Sequence, residues 1–275
     1  MIPIWIAVDE CRRVRVYVYK TMTISTATPN STRASYPSHL YRAKILVHLK
    51  RTMSPSPPPS HPKTTLWLWP TGLFPRRIIY YLRAKHLTLS ILRTHNIHLI
   101  PVILTKNTPH PAFVSLPTFE QRPANTSLPI MRIEYTDKVL WVRESSAILE
   151  YFEEIFNERD GYADLVGSTI QQRARTRDVM SLLADAIVWS IVGMIHSNPA
   201  TLSWSGLASE GDMSASAAGH ATGKADMLFQ KLEGWVRENG EGYKSLSGRG
   251  GDVSVADIAV MAQVEYMKEM YGVEW

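Results

Sequence analysis

Residues 142–154 read VRESSAILEYFEE, a strand-like Val-Arg that runs into Glu144, Ser145 and Ser146 and then into an amphipathic helix. The first turn of a helix has backbone N–H groups without intrahelical partners and carries the positive end of the helix dipole. A hydroxyl and an acid there have two uses. They cap the helix, or they help hold an anionic ligand, the serine donating to a carboxylate and the acid pairing with an ammonium group. The residues alone leave both open. Ser254 and Asp257, in SVADIAV, form a second helix-start pair at capping-box spacing, with Asp in place of the usual Glu. Leu128-Pro129-Ile130 precedes a β-rich run, and the dipeptide by itself does not decide between a trans and a cis bond. His95, His98 and His110 cluster loosely without a carboxylate or cysteine among them, so surface histidines and no metal site are expected.

The 275 residues, 45% hydrophobic, suffice for one large or two modest cores. The net charge of +5 is unevenly spread. Residues 1–63 hold ten Lys/Arg against Asp9 and Glu10, and the remainder holds 20 basic and 23 acidic residues. A slightly acidic body offers no electrostatic footprint for nucleic acid. The single cysteine, Cys11, lies in the basic segment, which removes disulfides, thiolate metal sites and a cysteine nucleophile from the body. No apolar run reaches the roughly 18 residues of a membrane span, so no membrane partner and a cytoplasmic protein are expected.

The elements that must position these residues begin near residue 64. Residues 1–63, with a Ser/Thr-rich tract and the proline cluster MSPSPPPSHP, read as a disordered extension, or alternatively as a mitochondrial presequence; Met53 is a second natural start. TTLWLW (64–69) alternates like a strand, and RRIIYYLRAKHL (76–87) has helical spacing. NIHLIPVIL (96–104) is a strand that Pro101 would confine to a sheet edge. An irregular proline-rich stretch follows, then a hairpin about Thr136-Asp137-Lys138, then the helix 144–156. Beyond it, 168–197, 218–238 and 254–270 show only helical periodicity. The expected organisation is an α/β domain over 64–156 and an all-helical domain over 164–275.

This order of elements, with RESSAILEYFEE, Leu128-Pro129-Ile130 and SVADIAV, resembles the glutathione S-transferase family over about residues 64–272, and the texture of WPTGLFPRR is similar to its fungal members. The resemblance implies a thioredoxin-like N-terminal domain followed by an all-α C-terminal domain. It implies that Glu144 and Ser145 hold the γ-glutamyl end of glutathione, and that Leu128, before a cis Pro129, pairs through its backbone with the tripeptide. It assigns Ser254 and Asp257 a folding role. It also implies further helices after the one that ends here at MYGVEW, and a homodimer to which Arg173 and Arg175 would contribute.

A free thiol with a pKa of about 8.5 is only a few per cent thiolate at neutral pH, and a donor to its sulfur lowers that pKa. The family supplies this donor as Tyr, Ser or Cys just after the first strand. Pro70-Thr71-Gly72-Leu73-Phe74-Pro75-Arg76-Arg77 contains none of the three, which leaves Thr71 as the expected catalytic hydroxyl and the Gly72 or Leu73 N–H as its substitute. Thr71 as a plain turn or N-cap residue is the competing reading. Arg76 and Arg77 oppose the dipole of the helix they open, which hints at an acidic partner; an exposed, solvated pair is the expected state. Asp185, Trp189 and His196 are expected along the acceptor substrate. The implied activity is conjugation of the glutathione thiolate, as co-substrate, to an apolar small-molecule electrophile, in detoxification or secondary-metabolite biosynthesis. The alternatives are a non-catalytic interaction or regulatory protein on the same fold, and isomerase or peroxidase chemistry at the same site.

Overall fold

The computed structural model describes residues 61–105, 112–238, 245–246 and 253–272. The expectations for residues 1–60 and for His110 lie outside the described residues.

Strand β1 (Lys63–Leu68) is buried on both faces, as its run of Leu and Trp demands of a central strand. It is followed by α1 (Leu73–Ala84), the short α2 (Leu89–Thr94), β2 (Ile97–Thr105), β3 (Ala112–Ser115), β4 (Ile130–Glu134), β5 (Val139–Val142) and α3 (Ser145–Ile155). The sheet order is β3-β2-β1-β4-β5, with β1 and β2 parallel and the other pairs antiparallel. Alternation along β1 divides the core. Leu66 and Leu68 join Ile78, Tyr81 and Leu82 of α1 and Ile148, Leu149 and Phe152 of α3 on one face, and Trp67 meets Ile100, Val102 and Ile130 on the other.

Pro101 was expected at a sheet edge, yet β2 lies between β1 and β3. The reason is a change of partner along the strand. The ladder with β1 covers Ile97–Pro101 and the ladder with β3 covers Val102–Thr105, so the missing N–H falls at the last position of the first ladder, just before the second begins. Strand β3 and helix α2 were not read in the sequence; both are short, and their apolar spacing is too brief to show a period.

The helical half comprises α4 (Ile170–Ile195), α5 (Leu202–Ser205), α6 (Ala215–Glu238) and α7 (Val255–Tyr271). Helix α4 is long and apolar enough to cross a membrane by length and composition. Part of its apolar surface is spent within the protein, where Leu183 and Ile187 share a cluster with Leu73 of α1 and Ala259 of α7, and Val179 and Leu182 one with Leu232 of α6 and Ala256 of α7, while Ile170 and Val188 are exposed. Gly193 lets α4 and α6 approach, because a Cβ there would lie 2.8 Å from Thr222 Oγ1. At the start of α7 the Ser254–Asp257 capping box is formed in both directions, and Asp257 also accepts from Ser245 Oγ and Leu246 N, each at 2.8 Å. The pair therefore ties the preceding segment to α7, a structural task.

Candidate functional site

Strand register brings the predicted ligand-binding residues to one end of the sheet. Trp67 pairs with Ile130 across β1 and β4, so two residues further on Trp69 comes level with Leu128. Met131 pairs with Val142 across β4 and β5, so the chain on either side of this pair, Leu128–Pro129 before β4 and Glu144–Ser145 after β5, lies at one end of the sheet. The turn after β1, the Leu128–Pro129 dipeptide and the start of α3 therefore leave the sheet at the same end. Trp69 and Leu128 pack in the same cluster, as this register requires.

The three segments offer unsatisfied polar groups. Helix α3 begins at Ser145 after Glu144, whose extended backbone (φ −92°, ψ 133°) and carbonyl serve as the N-cap while its side chain caps nothing. Ser145 is only 5% exposed and its hydroxyl bonds no described residue, and Glu144 is exposed. The first-turn N–H groups of α3 thus remain open to an anion. The Leu128–Pro129 bond is cis, and neither the N–H nor the C=O of Leu128 is bonded among the described residues.

Two arginines hold the approach to Leu128 without periodic structure. The guanidinium of Arg122 donates to the carbonyls of Phe113 (2.6 Å), Thr126 (2.8 Å) and Pro123 (3.2 Å). Arg132 lies against the rings of Trp67 (5.2 Å) and Trp141 (5.8 Å) and grips Glu120 with two bonds of 2.5 and 2.9 Å. Trp67 Nε1 donates to the Glu120 carbonyl. Sequence reasoning found neither clamp, because both join residues unrelated by any local period.

The turn before α1 corrects part of the expectation at Thr71. Gly72, not Thr71, is the N-cap of α1. The Gly72 N–H is committed to the Trp69 carbonyl at 2.9 Å, which removes it as a substitute donor. Glycine is required here: a Cβ would stand 2.6 Å from Trp69 Cε3. The Thr71 hydroxyl has no partner among the described residues, while its carbonyl accepts from Arg76 Nη2 at 3.3 Å.

Arg76 and Arg77 are not the expected exposed pair. Each is 4% exposed. Arg76 meets Glu269 at 2.6 Å and Glu265 at 3.7 Å, so α7 supplies the acids that the first turn of α1 lacks. Arg77 meets no such acid among the described residues. Its Nε and Nη2 are sealed without a hydrogen-bond partner, and its guanidinium lies 5.0 Å over the ring of Phe74. Burial pulls its pKa down to about 10, still well above neutrality. Two cations set against the helix dipole were the available signal.

The three residues expected along the acceptor lie on α4 and at its C-cap. Asp185 is exposed, Trp189 packs edge-on to His220 of α6, and His196 ends α4 with its ring accepting from Ser214 N. None belongs to the cluster in which Leu183 and Ile187 of α4, with Met180 and Ile191 beside them, join Leu73 of α1 and Ala259 of α7. The helical period rotates the three predicted residues onto other faces. Arg173 and Arg175 are engaged within the chain, by the carbonyls of Gly167 and Ser168 and by that of Trp235. His95 and His98 bond Ile91 O and Asn96 Oδ1, and no metal-ligating group of three assembles among the described residues.

With this geometry in hand, the chain was set against known proteins. No family model matches its sequence, and no curated protein matches it by sequence. Its fold does have solved relatives. A glutathione S-transferase from Methylobacillus flagellatus KT with GSH bound aligns over 76% of this chain and 85% of its own, at 15% identity and a TM-score of 0.51. A glutathione S-transferase domain-containing protein from Marinobacter aquaeolei VT8 aligns over 77% and 90%, at 15% identity and the same TM-score of 0.51. The fold is that of the glutathione transferases. Within the transferase fold, β1, β4, β5 and α3 are the elements whose ends gather the open polar groups described above.

Proposed function

We propose that this chain is a glutathione transferase that binds glutathione at the gathered ends of β1, β4 and α3. The observation that carries the reading is the meeting of an uncapped α3 with an unpaired Leu128 backbone at one end of the sheet. A γ-glutamyl carboxylate would meet the first-turn N–H groups of α3 and the Ser145 hydroxyl, and Glu144 would pair with the ammonium group. Leu128 would exchange two backbone hydrogen bonds with the cysteinyl residue, as an added strand does. That leaves the sulfur directed toward Thr71 and the first turn of α1. Binding of GSH by the Methylobacillus flagellatus transferase of the same fold supports the choice of ligand.

In the conjugation step the thiolate attacks an electrophilic carbon of an apolar acceptor, a C–S bond forms, and the leaving group departs with its electron pair. Met180 and Ile191, on the side of α4 nearest α1, are the apolar acceptor contacts in this reading. Action as a homodimer in the cytoplasm of a fungus, in detoxification or secondary metabolism, belongs to the same proposal. The lack of Tyr, Ser or Cys after β1 favours a second reading, a glutathione-binding protein without turnover.

Retention on immobilised glutathione, followed by turnover of a generic aryl halide electrophile, tests the proposal. Retention with turnover is expected. Retention without turnover selects the second reading, and no retention sinks both.

A further inference from the structure

We infer that Arg77 is the cation of this site, its guanidinium receiving the sulfur anion of the bound thiol tripeptide. The inference rests on the glutathione-binding reading and deepens it, because it names the group that stabilises the thiolate.

Helix geometry sets the direction. Residues spaced by four along α1 share a face, and their side chains lean toward the helix N-terminus. Leu73, four residues before Arg77, packs on Leu183, Ile187 and Ala259 of the helical half. Tyr81, four residues after it, stacks on Phe152 of α3. Arg77 therefore occupies the face of α1 turned between α3 and the helical half. The contact with Phe74 carries its guanidinium one turn back, toward the Trp69–Gly72 turn that opens α1. The neighbouring Arg76 leans the same way and reaches the Thr71 carbonyl.

Energetics supplies the second argument. A buried, unpaired cation is costly unless something completes it. The other charges on this helix are already matched, Arg76 by Glu265 and Glu269 and Lys85 by Glu153, while Arg83 lies over the Tyr80 ring. Arg77 faces only Phe74 among the described residues. Of the ligand's anionic groups, the γ-glutamyl carboxylate belongs to the start of α3, and the cysteinyl sulfur lies nearest α1. A weakly hydrated guanidinium suits a buried anion better than an ammonium would. On binding, the thiol proton passes to solvent and the thiolate is held as an ion pair, so no redox partner is required. Arg77 thus takes the activating role that the first turn of α1 otherwise leaves to Thr71.

The test titrates the bound thiol by its ultraviolet thiolate absorbance and compares affinities for glutathione and S-methylglutathione, which has no ionisable sulfur. In the unmodified protein the bound thiol is expected to ionise at least one pH unit below the free value; an unshifted thiol overturns the inference without any variant. Arg77→Met is expected to return the thiol to its free value and to weaken glutathione about tenfold near neutral pH, with S-methylglutathione unaffected, since one pH unit is a tenfold effect. Arg77→Lys should recover most of the shift. If Arg77→Met leaves the thiol of bound glutathione as acidic as before, Arg77 is not its partner. Failure of the unmodified protein to bind glutathione itself would instead remove the binding reading on which the inference stands.

Discussion

Arg76 Nη2 lies 2.6 Å from Glu269 Oε2, which fastens the first turn of α1 to α7, and the same guanidinium accounts for the position of the Thr71 carbonyl. The arginine is buried and its two acids are partly exposed. Loss of one acid leaves the other in reach, and loss of both strands a cation. Glu269→Gln is expected to cost about 1 kcal/mol, and Glu265→Gln with Glu269→Gln about 3–5 kcal/mol. The double variant should exceed the sum of the singles. Urea unfolding of the three variants measures this, and strict additivity would contradict it.

Lys85 and Glu153 make the corresponding contact between α1 and α3. Their charged atoms are 3.0 Å apart, the Lys85 side chain is fully buried, and Nζ also donates to the Phe156 carbonyl. Burial pushes the Glu153 carboxyl up, with Lys85 pulling against it. Lys85→Met is expected to destabilise the fold by about 3–5 kcal/mol, and adding Glu153→Leu should restore most of that, because an apolar pair of similar volume carries no desolvation penalty. Thermal midpoints of the single and double variants decide the matter; a double variant no better than the single would refute it.

Ser145→Ala removes a hydroxyl that no described residue uses. Its expected effect is on ligand rather than fold: unfolding unchanged within about 0.5 kcal/mol, and glutathione affinity lower by about 1–2 kcal/mol. Calorimetric titration beside urea unfolding separates the two. A stability loss without an affinity loss would make Ser145 a cap.

Tyr80 donates its phenol to Glu265 and is held to a pKa of about 12, by burial first and the Glu265 contact second. The folded pKa is raised above the ordinary value of about 10, so the stabilisation is complete below pH 10 and is lost as pH rises from about 10 through 12. Tyr80→Phe should therefore lose stability less steeply than the parent in that alkaline window. Denaturation midpoints measured across it provide the check, with parallel curves as the contrary result.

Much of the architecture was legible in residue order. Leu66 and Leu68 alternating with Trp67, the periodic helices and the turn at Thr136-Asp137-Lys138 announced their elements because these signals are local and repeat within one turn or one strand. The Ser254–Asp257 box was legible for the same reason, three residues being the whole of its geometry. Glu144 and Ser145 stood out by type and place, Leu128 and Pro129 through the family resemblance, and the registers of β4 with β1 and β5 bring their segments to one end of the sheet.

What residue order left open was the rotation and partnership of side chains across long separations. Arg76 meets acids 189 and 193 positions away, which no local pattern encodes. The azimuth of α4 took Asp185, Trp189 and His196 off the side that reaches α1, and the packing of α7 on α1 turned a pair expected in solvent into one paired and one solitary buried cation. The sequence by itself determined the longer elements, their order and the residues at their ends, because backbone propensity and capping act over a few residues. Only the tertiary structure decided which charges are neutralised and which is buried without an acid beside it, because burial and partnership exist only once distant helices meet.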